Sequence, residues 1–331
     1  MIVLLRPDAP QAEIDRLLAF LHWRGISYTH EEGILRLRGE TDGLSGFPAV
    51  QAVSGSAPAL SSRRPEQARS VVSVGSAKFG ADRLVLIAGP CCVEDETQIF
   101  LAAQHVRQAG AAVLRGGAFK PRTSPYDFAG LGAEGITLLC RAGRAVGLPV
   151  VTELMDARQL ELFADVDLIQ VGARNMQNFD LLHALGGTGK PILLKRGMGN
   201  TLRELLLSAE HIMAAGNDRI ILCERGIRTF DDFSRFTLDL TAVPALHEMT
   251  HLPVIVDPSH AAGRASLVAP MALAAAACGA DGVMLEMHDD PAAARCDGAQ
   301  ALDAQSLTAL ARRLHAVHVA ASEAGCLTRA F

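Results

Sequence analysis

The sequence predicts an eight-stranded α/β barrel of the TIM-barrel class, preceded by a small α+β domain. From about residue 83, short runs of β-branched residues and leucine alternate with Ala- and Leu-rich stretches of helical spacing, a pattern typical of repeated βα units. Eight such runs occur in a length that suits one barrel. A doubly wound sheet is the alternative, but the loop "GPCCVED" after the first run lacks the G-x-G-x-x-G fingerprint.

Residues 1–55 are predicted to be a separate unit. The strand "MIVLLR", the helix "PQAEIDRLLAFLHWRG" and the strands "ISYTH" and "ILRLRG" resemble a ferredoxin-like βαββαβ module. Only "ETDGLSGFPA" remains for the second helix, so the module is expected to be truncated or irregular. Residues 56–82 are assigned to a linker and barrel lead-in, because "SAPALSSRRPEQARS" has linker composition. The barrel domain is then 83–331.

The composition is that of a well-cored globular protein. The chain has 331 residues, 49% of them hydrophobic and 20% charged. A net charge of −5 argues against nucleic acid or anionic lipid as a partner. No apolar run is long enough to span a bilayer and no signal peptide is evident, so a cytoplasmic location is expected. The seven cysteines are odd in number and scattered, which predicts reduced thiols.

Active sites of such barrels form at the carboxyl ends of the strands, where the polar residues of this sequence also lie. We expect them to converge on one mouth. In strand order they are Cys91 with Glu94, Arg115 with Lys120 and Arg122, Glu153, Arg174 with Asn175, Lys195 with Arg196, Glu224 with Arg225, Asp257 with His260, and Glu286 with His288.

One subset of these residues, together with Asp297 in the later stretch "ARCDGAQALD", has the chemistry of a metal site. Cys91, His260, Glu286 and Asp297 offer one sulfur, one imidazole and two carboxylates, which suits a divalent transition metal such as Mn, Fe, Co or Zn. The mixture favours an open catalytic site over a structural zinc site. Each residue alone has an ordinary alternative, since a buried Cys is usually a small hydrophobe. Cys92 is the alternative to Cys91, and four further cysteines are expected to be packing or surface thiols, namely Cys140, Cys223, Cys278 and Cys296.

A second subset is cationic. It comprises Arg115, Lys120, Arg174, Lys195 and Arg225, which come from five different loops. Cations that converge in one cavity repel one another unless an anion occupies it. Exposed pairing with nearby carboxylates is the usual alternative for a single Arg or Lys. The set as a whole predicts a small substrate that carries carboxylate and phosphate groups.

The motifs of the barrel resemble those of 3-deoxy-D-arabino-heptulosonate 7-phosphate (DAHP) synthase, type I, in the subclass close to the 3-deoxy-octulosonate 8-phosphate synthases. The resemblance covers about residues 83–315 and rests on "IAGPCCVE", "LRGGAFKPRTSPYDFAGLG", "QVGARNMQNFDLL", "LLKRG", "ILCERGIRTF", "VDPSHAAGR" and "EMHDDP". It implies condensation of phosphoenolpyruvate with erythrose 4-phosphate, the first step of the shikimate pathway to aromatic amino acids. Some members use a ferredoxin-like extension for feedback inhibition by aromatic amino acids.

The resemblance also implies roles for individual residues. Cys91, His260, Glu286 and Asp297 would be the ligands of a divalent metal, manganese among the candidates. Phosphoenolpyruvate would be held by the five cations, with backbone of the turn around Ala173 contributing. The sugar phosphate would contact the "KPRTS" stretch through Arg122, Thr123 and Ser124. Lys120 would deliver a proton, and Glu153 and Asp257 would assist the attack of water. A homo-oligomer, dimer or tetramer, is expected.

Two alternative functions remain open at this point. A 3-deoxy-octulosonate 8-phosphate synthase would share the barrel, the metal site and the clamp, that is, the five cations that would hold phosphoenolpyruvate, but would use arabinose 5-phosphate. The "KPRTS" stretch argues against it, because that family carries an Asn-containing loop there. A non-catalytic regulatory barrel would be expected to lack ligand or clamp residues, and this sequence lacks none of them.

Overall fold

The structure, a computed structural model, describes residues 1–38, 43–54, 58, 60–63, 67–120, 124 and 126–324. Its largest part is a closed barrel of eight parallel strands, in the spatial order in which they follow along the chain. The prediction of a TIM barrel is therefore confirmed. The strands coincide with the eight runs and are β7 Val85–Gly89, β8 Val113–Arg115, β9 Val150–Glu153, β10 Leu168–Val171, β11 Ile192–Lys195, β12 Ile220–Glu224, β13 Val254–Val256 and β14 Gly282–Glu286.

Helices cover the outside of the barrel. They are α2 Glu96–Gln108, α3 Ala133–Val146, α4 Phe179–Gly186, α5 Leu202–Ala214, α6 Ala242–Met249, α8 Ala265–Ala277 and α9 Ala304–Glu323. A further short helix, α7 Pro258–Ala262, follows β13 at the carboxyl end of the barrel and is mostly buried. The connection after β9 differs from the expected βα pattern, because a 3₁₀ segment, Ala157–Phe163, takes the place of an α-helix there. Asp156 caps this segment by accepting a hydrogen bond from the backbone N–H of Arg158.

The amino-terminal unit is a four-stranded antiparallel sheet with one helix. Its elements are β1 Ile2–Leu5, α1 Gln11–Trp23, β2 Ser27–Glu31, β3 Ile34–Arg38 and β4 Val50–Ser54, and the strand order is β2-β3-β1-β4. This order, with β1 and β3 central, is that of a ferredoxin-like module. A single 3₁₀ turn, Leu44–Gly46, lies where the second helix was in doubt, and residues 39–42 are outside the described part.

The amino-terminal sheet has its own apolar core, in which Val3, Leu17, Leu21 and Leu35 are fully buried. The described lead-in residues pack on the outside of the barrel. Backbone N–H groups of Leu60 and Ser61 donate to the carboxylate of Glu210 on α5. Arg69 pairs with the buried Asp281 at 2.5 Å. The domain limits of 1–55 and 83–331 stay a prediction.

A short hairpin closes the amino-terminal end of the barrel. It consists of β5 Val72–Val74 and β6 Ala77–Phe79, which pair in antiparallel register. Val72, Val74 and the fully buried Phe79 pack against the side chains that the barrel strands turn inward, such as Ile87 and Leu193. The interior is therefore a packed core at this end, and the opposite end carries the polar residues.

Candidate active site

The polar strand-end residues surround a cavity of about 270 Å³ at the carboxyl ends of the strands. Strand register explains which of them face it. Successive side chains of a strand point to opposite faces, so residues two positions apart share a face. Lys195 lies two positions after the inward-facing Leu193, and Arg225 lies two positions after the inward-facing Cys223, so both point into the barrel mouth. The predicted residues that line the cavity are Arg115, Lys120, Glu153, Ala173, Arg174, Lys195, Arg225, His260 and Asp297.

The expectation that all strand-end polar residues face the mouth is wrong for several of them. Arg196 and Glu224 lie in the opposite register, and Arg196 Nη1 donates to Glu224 at 2.9 Å and to Asp239 at 2.8 Å. His288 lies 3.7 Å from Glu94, and neither lines the cavity. Arg196 and Glu224 point away from the cavity because they alternate with the inward-facing residues of their strands. They and the pair His288 and Glu94 therefore form buried or half-buried contacts outside the cavity.

The four predicted metal ligands form a compact cluster. The donor atoms of Cys91, His260, Glu286 and Asp297 all lie within 4.8 Å of one another. Cys91 Sγ is 3.2 Å from an oxygen of Asp297, and His260 Nε2 is 3.2 Å from Oε1 of Glu286. One sulfur, one imidazole nitrogen and two carboxylates at this spacing fit a divalent transition metal.

The orientation of His260 follows from the sequence "VDPSH". Asp257 caps the short helix α7, with Pro258 at its first position, and its Oδ1 accepts from the backbone N–H of His260 at 3.0 Å. Its Oδ2 accepts from Nδ1 of the His260 ring at 2.7 Å and from Lys195 Nζ at 2.5 Å. Nε2 is then the free ring nitrogen. Burial lowers the pKa of His260, which keeps that nitrogen unprotonated and able to bind a metal.

Glu286 is held from two sides. Arg115 Nη1 donates to Oε1 at 2.7 Å, and Gln300 Nε2 donates to Oε2 at 2.6 Å. Burial opposes the charged form of this carboxyl, but the neighbouring cations, Arg115 and Lys120 among them, outweigh it and bring the pKa of Glu286 to about 2. In contrast, burial and the charge of Glu286 raise the pKa of the Cys91 thiol. A bound metal would have to displace that proton.

The five predicted cations differ in the partners they already have. Lys195 and Arg115 are engaged by Asp257 and Glu286. Arg225 stacks on the ring of Phe236 at 4.4 Å, and its Nη1 is buried with no hydrogen-bond partner among the described residues. Burial lowers the pKa of Lys120, but neighbouring acidic groups, Glu286 among them, outweigh this effect and the pKa is raised. Arg225 and Lys120 thus face the cavity as charged donors.

Glu153 lines the cavity, and of the "KPRTS" stretch the structure describes only Lys120 and Ser124. Glu153 Oε2 accepts from Gln170 Nε2 at 3.1 Å, and Gly172 leaves room for this carboxylate because a Cβ there would overlap it. The Ser124 hydroxyl accepts from the backbone N–H of Tyr126 at 3.3 Å and does not line the cavity. Arg122 and Thr123 lie outside the described residues.

Sequence reasoning missed several residues of the site. Gln170 interrupts the apolar run "LIQV" in the inward register, a signal that could have identified it. Gln300 follows Asp297 by three residues and is nearly fully buried. Arg235 Nη1 donates to Asp297 at 3.2 Å and to Gln300 at 3.1 Å, so that Gln300 and Arg235 connect the two carboxylates of the cluster. The loop of Arg235 gave no pattern from which this contact could be predicted.

The expectation that all cysteines are reduced thiols is wrong for one pair. Cys92 and Cys296 form a disulfide with Cα atoms 6.4 Å apart, whereas Cys91, Cys140, Cys223 and Cys278 are free. The two residues are 204 positions apart in sequence but meet because β7 and β14 are neighbours in the closed barrel. Counting cysteines could not reveal a pair that only barrel closure creates.

The fold and this cavity define a barrel enzyme for small anionic substrates. A model of the DAHP synthetase I family matches residues 66–323, and the chain belongs to this family. It is therefore an enzyme of the DAHP synthase type.

Individual relatives agree with this assignment. The chain is 42% identical to phospho-2-dehydro-3-deoxyheptonate aldolase of Thermotoga maritima over 315 residues, which is 92% of this chain and 93% of the relative. A crystal structure of that protein (DAHP synthase) matches with a TM-score of 0.79 at 38% identity and covers 98% of both chains. A 2-dehydro-3-deoxyphosphooctonate aldolase of Syntrophobacter fumaroxidans is 33% identical over 72% of this chain and 88% of its own length.

Proposed function

We propose that the mouth of the barrel condenses phosphoenolpyruvate with erythrose 4-phosphate and water, giving DAHP and phosphate, the first step of the shikimate pathway. The observation that carries the proposal is the position of the cations directly beside the four-donor cluster. Arg115 and His260 both line the cavity, and both contact Glu286. A multiply charged anion and a metal would thus meet within one small space.

Cys91, His260, Glu286 and Asp297 would hold a divalent metal of the Mn, Fe, Co or Zn type. When bound, such a metal supplies Lewis-acid polarisation of the aldehyde oxygen of erythrose 4-phosphate. The protein's own part is to set the donors in place. Asp257 fixes the His260 tautomer, and Gln300 and Arg115 fix the carboxylate of Glu286.

The cations would hold phosphoenolpyruvate. The unpartnered Nη1 of Arg225 can donate to an oxygen of the carboxylate or phosphate, and Arg174 and Lys120 add further positive charge. Bound in this way, C3 of the enol is placed to add to the aldehyde carbon. The fixed positive groups need no reorganisation as negative charge develops, which lowers the barrier.

Lys120 is proposed to deliver the proton to the new alkoxide, directly or through water. The Lys120 side chain is a charged ammonium and therefore carries a proton that the far more basic alkoxide can take. Glu153, half-buried at the cavity wall, is proposed to assist the attack of water at C2. The resemblance implies the same task for Asp257, but Asp257 is fully buried and its oxygens are engaged by Lys195 and His260, which favours a positioning role. Arg122, Thr123 and Ser124 are proposed to receive the sugar phosphate.

The choice of aldose can be tested directly. Purified protein is assayed for phosphoenolpyruvate consumption with erythrose 4-phosphate and, separately, with arabinose 5-phosphate, before and after treatment with a chelator. We expect turnover with the four-carbon aldose, loss on chelation and recovery with Mn or Co. Consumption with arabinose 5-phosphate alone would support the octulosonate activity of the more distant relatives, and absence of turnover with both would support a non-catalytic barrel.

We also propose that the protein acts in the cytoplasm as a homo-oligomer and that residues 1–55 regulate the barrel. Among the described residues, no helix is both long and apolar enough to cross a membrane. Sedimentation of the purified chain tests the oligomeric state. Assay of a chain that begins at residue 56, in the presence and absence of tyrosine or phenylalanine, tests the regulatory role.

A further inference from the structure

Three cysteine sulfurs are gathered beside the proposed catalytic metal site. The Sγ atoms of Cys91, Cys92 and Cys296 all lie within 4.8 Å of one another, and the three side chains are at most 5% exposed. They form one apolar cluster with Phe128. Cys92 follows one proposed ligand in sequence, and Cys296 precedes another, Asp297. The cluster therefore shares Cys91 with the catalytic set but is otherwise distinct from it.

Three thiolates in an apolar setting select different metals from those of a mixed sulfur, nitrogen and oxygen set. Soft thiolate ligands favour soft cations such as Cu(I), whereas imidazole and carboxylates suit harder divalent ions. The cluster is close to the cavity, because Asp297, which contacts Cys91 Sγ at 3.2 Å, lines it. An ion that enters the mouth thus has a short path to the sulfurs.

We propose that reduction of the Cys92–Cys296 disulfide creates a second metal site, in which Cys91, Cys92 and Cys296 bind a soft cation of the Cu(I) class and withdraw Cys91 from the catalytic set. A dithiol supplies two electrons and two protons, so that the S–S bond of the protein breaks, two thiols form and the reductant becomes a disulfide. Binding of Cu(I) then releases the thiol protons to solvent without electron transfer. In the oxidised protein only Cys91 remains as a donor, and the second site is closed.

The experiment is an anaerobic titration of the full chain, loaded with Mn, using Cu(I) held by the coloured chelator bicinchoninate. Reduced wild type is compared with Cys92→Ser, Cys296→Ser and a control, Cys278→Ser, that lies outside the cluster. Oxidised wild type is a further arm, and thiol counts on denatured protein define both states. Cu(I) uptake is read from the chelator colour, so it tests the site even if the proposed condensation is not observed.

We expect reduced wild type and Cys278→Ser to take up a single Cu(I) per chain and to lose condensation activity in proportion. Cys92→Ser and Cys296→Ser should keep their activity at the same Cu(I) concentration. Their Cu(I) affinity should fall by more than the roughly 10–100-fold that loss of an outer partner of a metal site costs. X-ray absorption should show three sulfur neighbours.

Two results would overturn the proposal. One is reduced wild type that takes no Cu(I) from the chelator. The other is equally tight Cu(I) binding by Cys92→Ser and Cys296→Ser, with nitrogen and oxygen neighbours, because the ion would then occupy the catalytic set alone.

Discussion

Nδ1 of His260 donates to Oδ2 of Asp257 at 2.7 Å, and this contact directs Nε2 of the same ring towards Glu286. A buried carboxylate behind a ligating histidine sets both the tautomer and the orientation of the ring. Asp257→Asn removes the negative charge of the carboxylate that both His260 and Lys195 contact. We expect Mn affinity to fall roughly 10–100-fold, measured by titration calorimetry of chelator-treated protein.

Asp303→Asn is the matched control for this change, because Asp303 caps α9 and asparagine is an equally good cap. Its Mn affinity should equal that of wild type. Unchanged Mn affinity in Asp257→Asn would show that the contact does not support metal binding.

Arg225→Lys should weaken phosphoenolpyruvate binding. Lysine lacks the planar pair of donors of the guanidinium group. One of these donors, Nη1, has no hydrogen-bond partner within the described structure and is therefore available to the substrate. A hydrogen bond to a charged group contributes about 1.5–3 kcal/mol, so KM for phosphoenolpyruvate should rise roughly 10–100-fold. Steady-state kinetics measure this, with Arg141→Lys on the exposed face of α3 as the control. Equal KM values in the two variants would remove Arg225 from the clamp.

Gly172→Ala should impair catalysis through Glu153. The backbone of Gly172 has φ of −67°, which any residue adopts, so the effect is steric: the new Cβ overlaps the carboxylate of Glu153. A displaced reacting group costs on the order of 100-fold in rate. Gly187→Ala is the control, since the nearest atom to its Cβ is 3.6 Å away. If both variants retained full kcat, Glu153 would have no role that depends on its position.

Asp281→Asn should lower the free energy of unfolding and make that free energy less dependent on pH in the acid range. Burial opposes the charged form of Asp281, but His247, Arg69 and the N–H of Val254 lower its pKa below the usual 3.8. The stabilisation is thus fully present above pH 3.8 and is lost as the pH falls through the lowered pKa. Urea unfolding at pH 7 should show a loss of about 3 kcal/mol in the variant. At lower pH the two proteins should converge.

The exposed Asp180→Asn, in the first turn of α4, is the control for the stability measurement. It should follow the wild-type curve at each pH. A constant difference between Asp281→Asn and wild type down to pH 2 would contradict a lowered pKa for Asp281.

Much of the barrel could be predicted because its signals are local. A run such as "RIILCE" is apolar on both faces, which is typical of a strand buried in a parallel sheet. The proposed ligands and cations could be recognised because they follow such runs directly. Which of two neighbours faces the cavity, as with Lys195 and Arg196, depends on strand register, and that follows from the inward position of Leu193.

The contacts that the sequence did not reveal are those made by closure of the barrel. The Cys92–Cys296 bond and the reach of Arg235 to Asp297 join segments far apart in the chain. Each depends on the distance between two loops, which no spacing within either loop encodes. Gln300 is intermediate: its proximity to Asp297 is local, but its bond to Glu286 depends on the packing of the loop against β14.

Within the described structure, the hairpin of Val72–Phe79 closes the end of the barrel opposite the cavity. Because Phe79 and its apolar neighbours fill that end, we expect both substrates to enter, and both products to leave, at the carboxyl ends of the strands. A product that lingers there also blocks the next round of entry. Inorganic phosphate resembles the phosphate group of phosphoenolpyruvate. It should therefore slow turnover by occupying the mouth of the barrel as well as the proposed clamp.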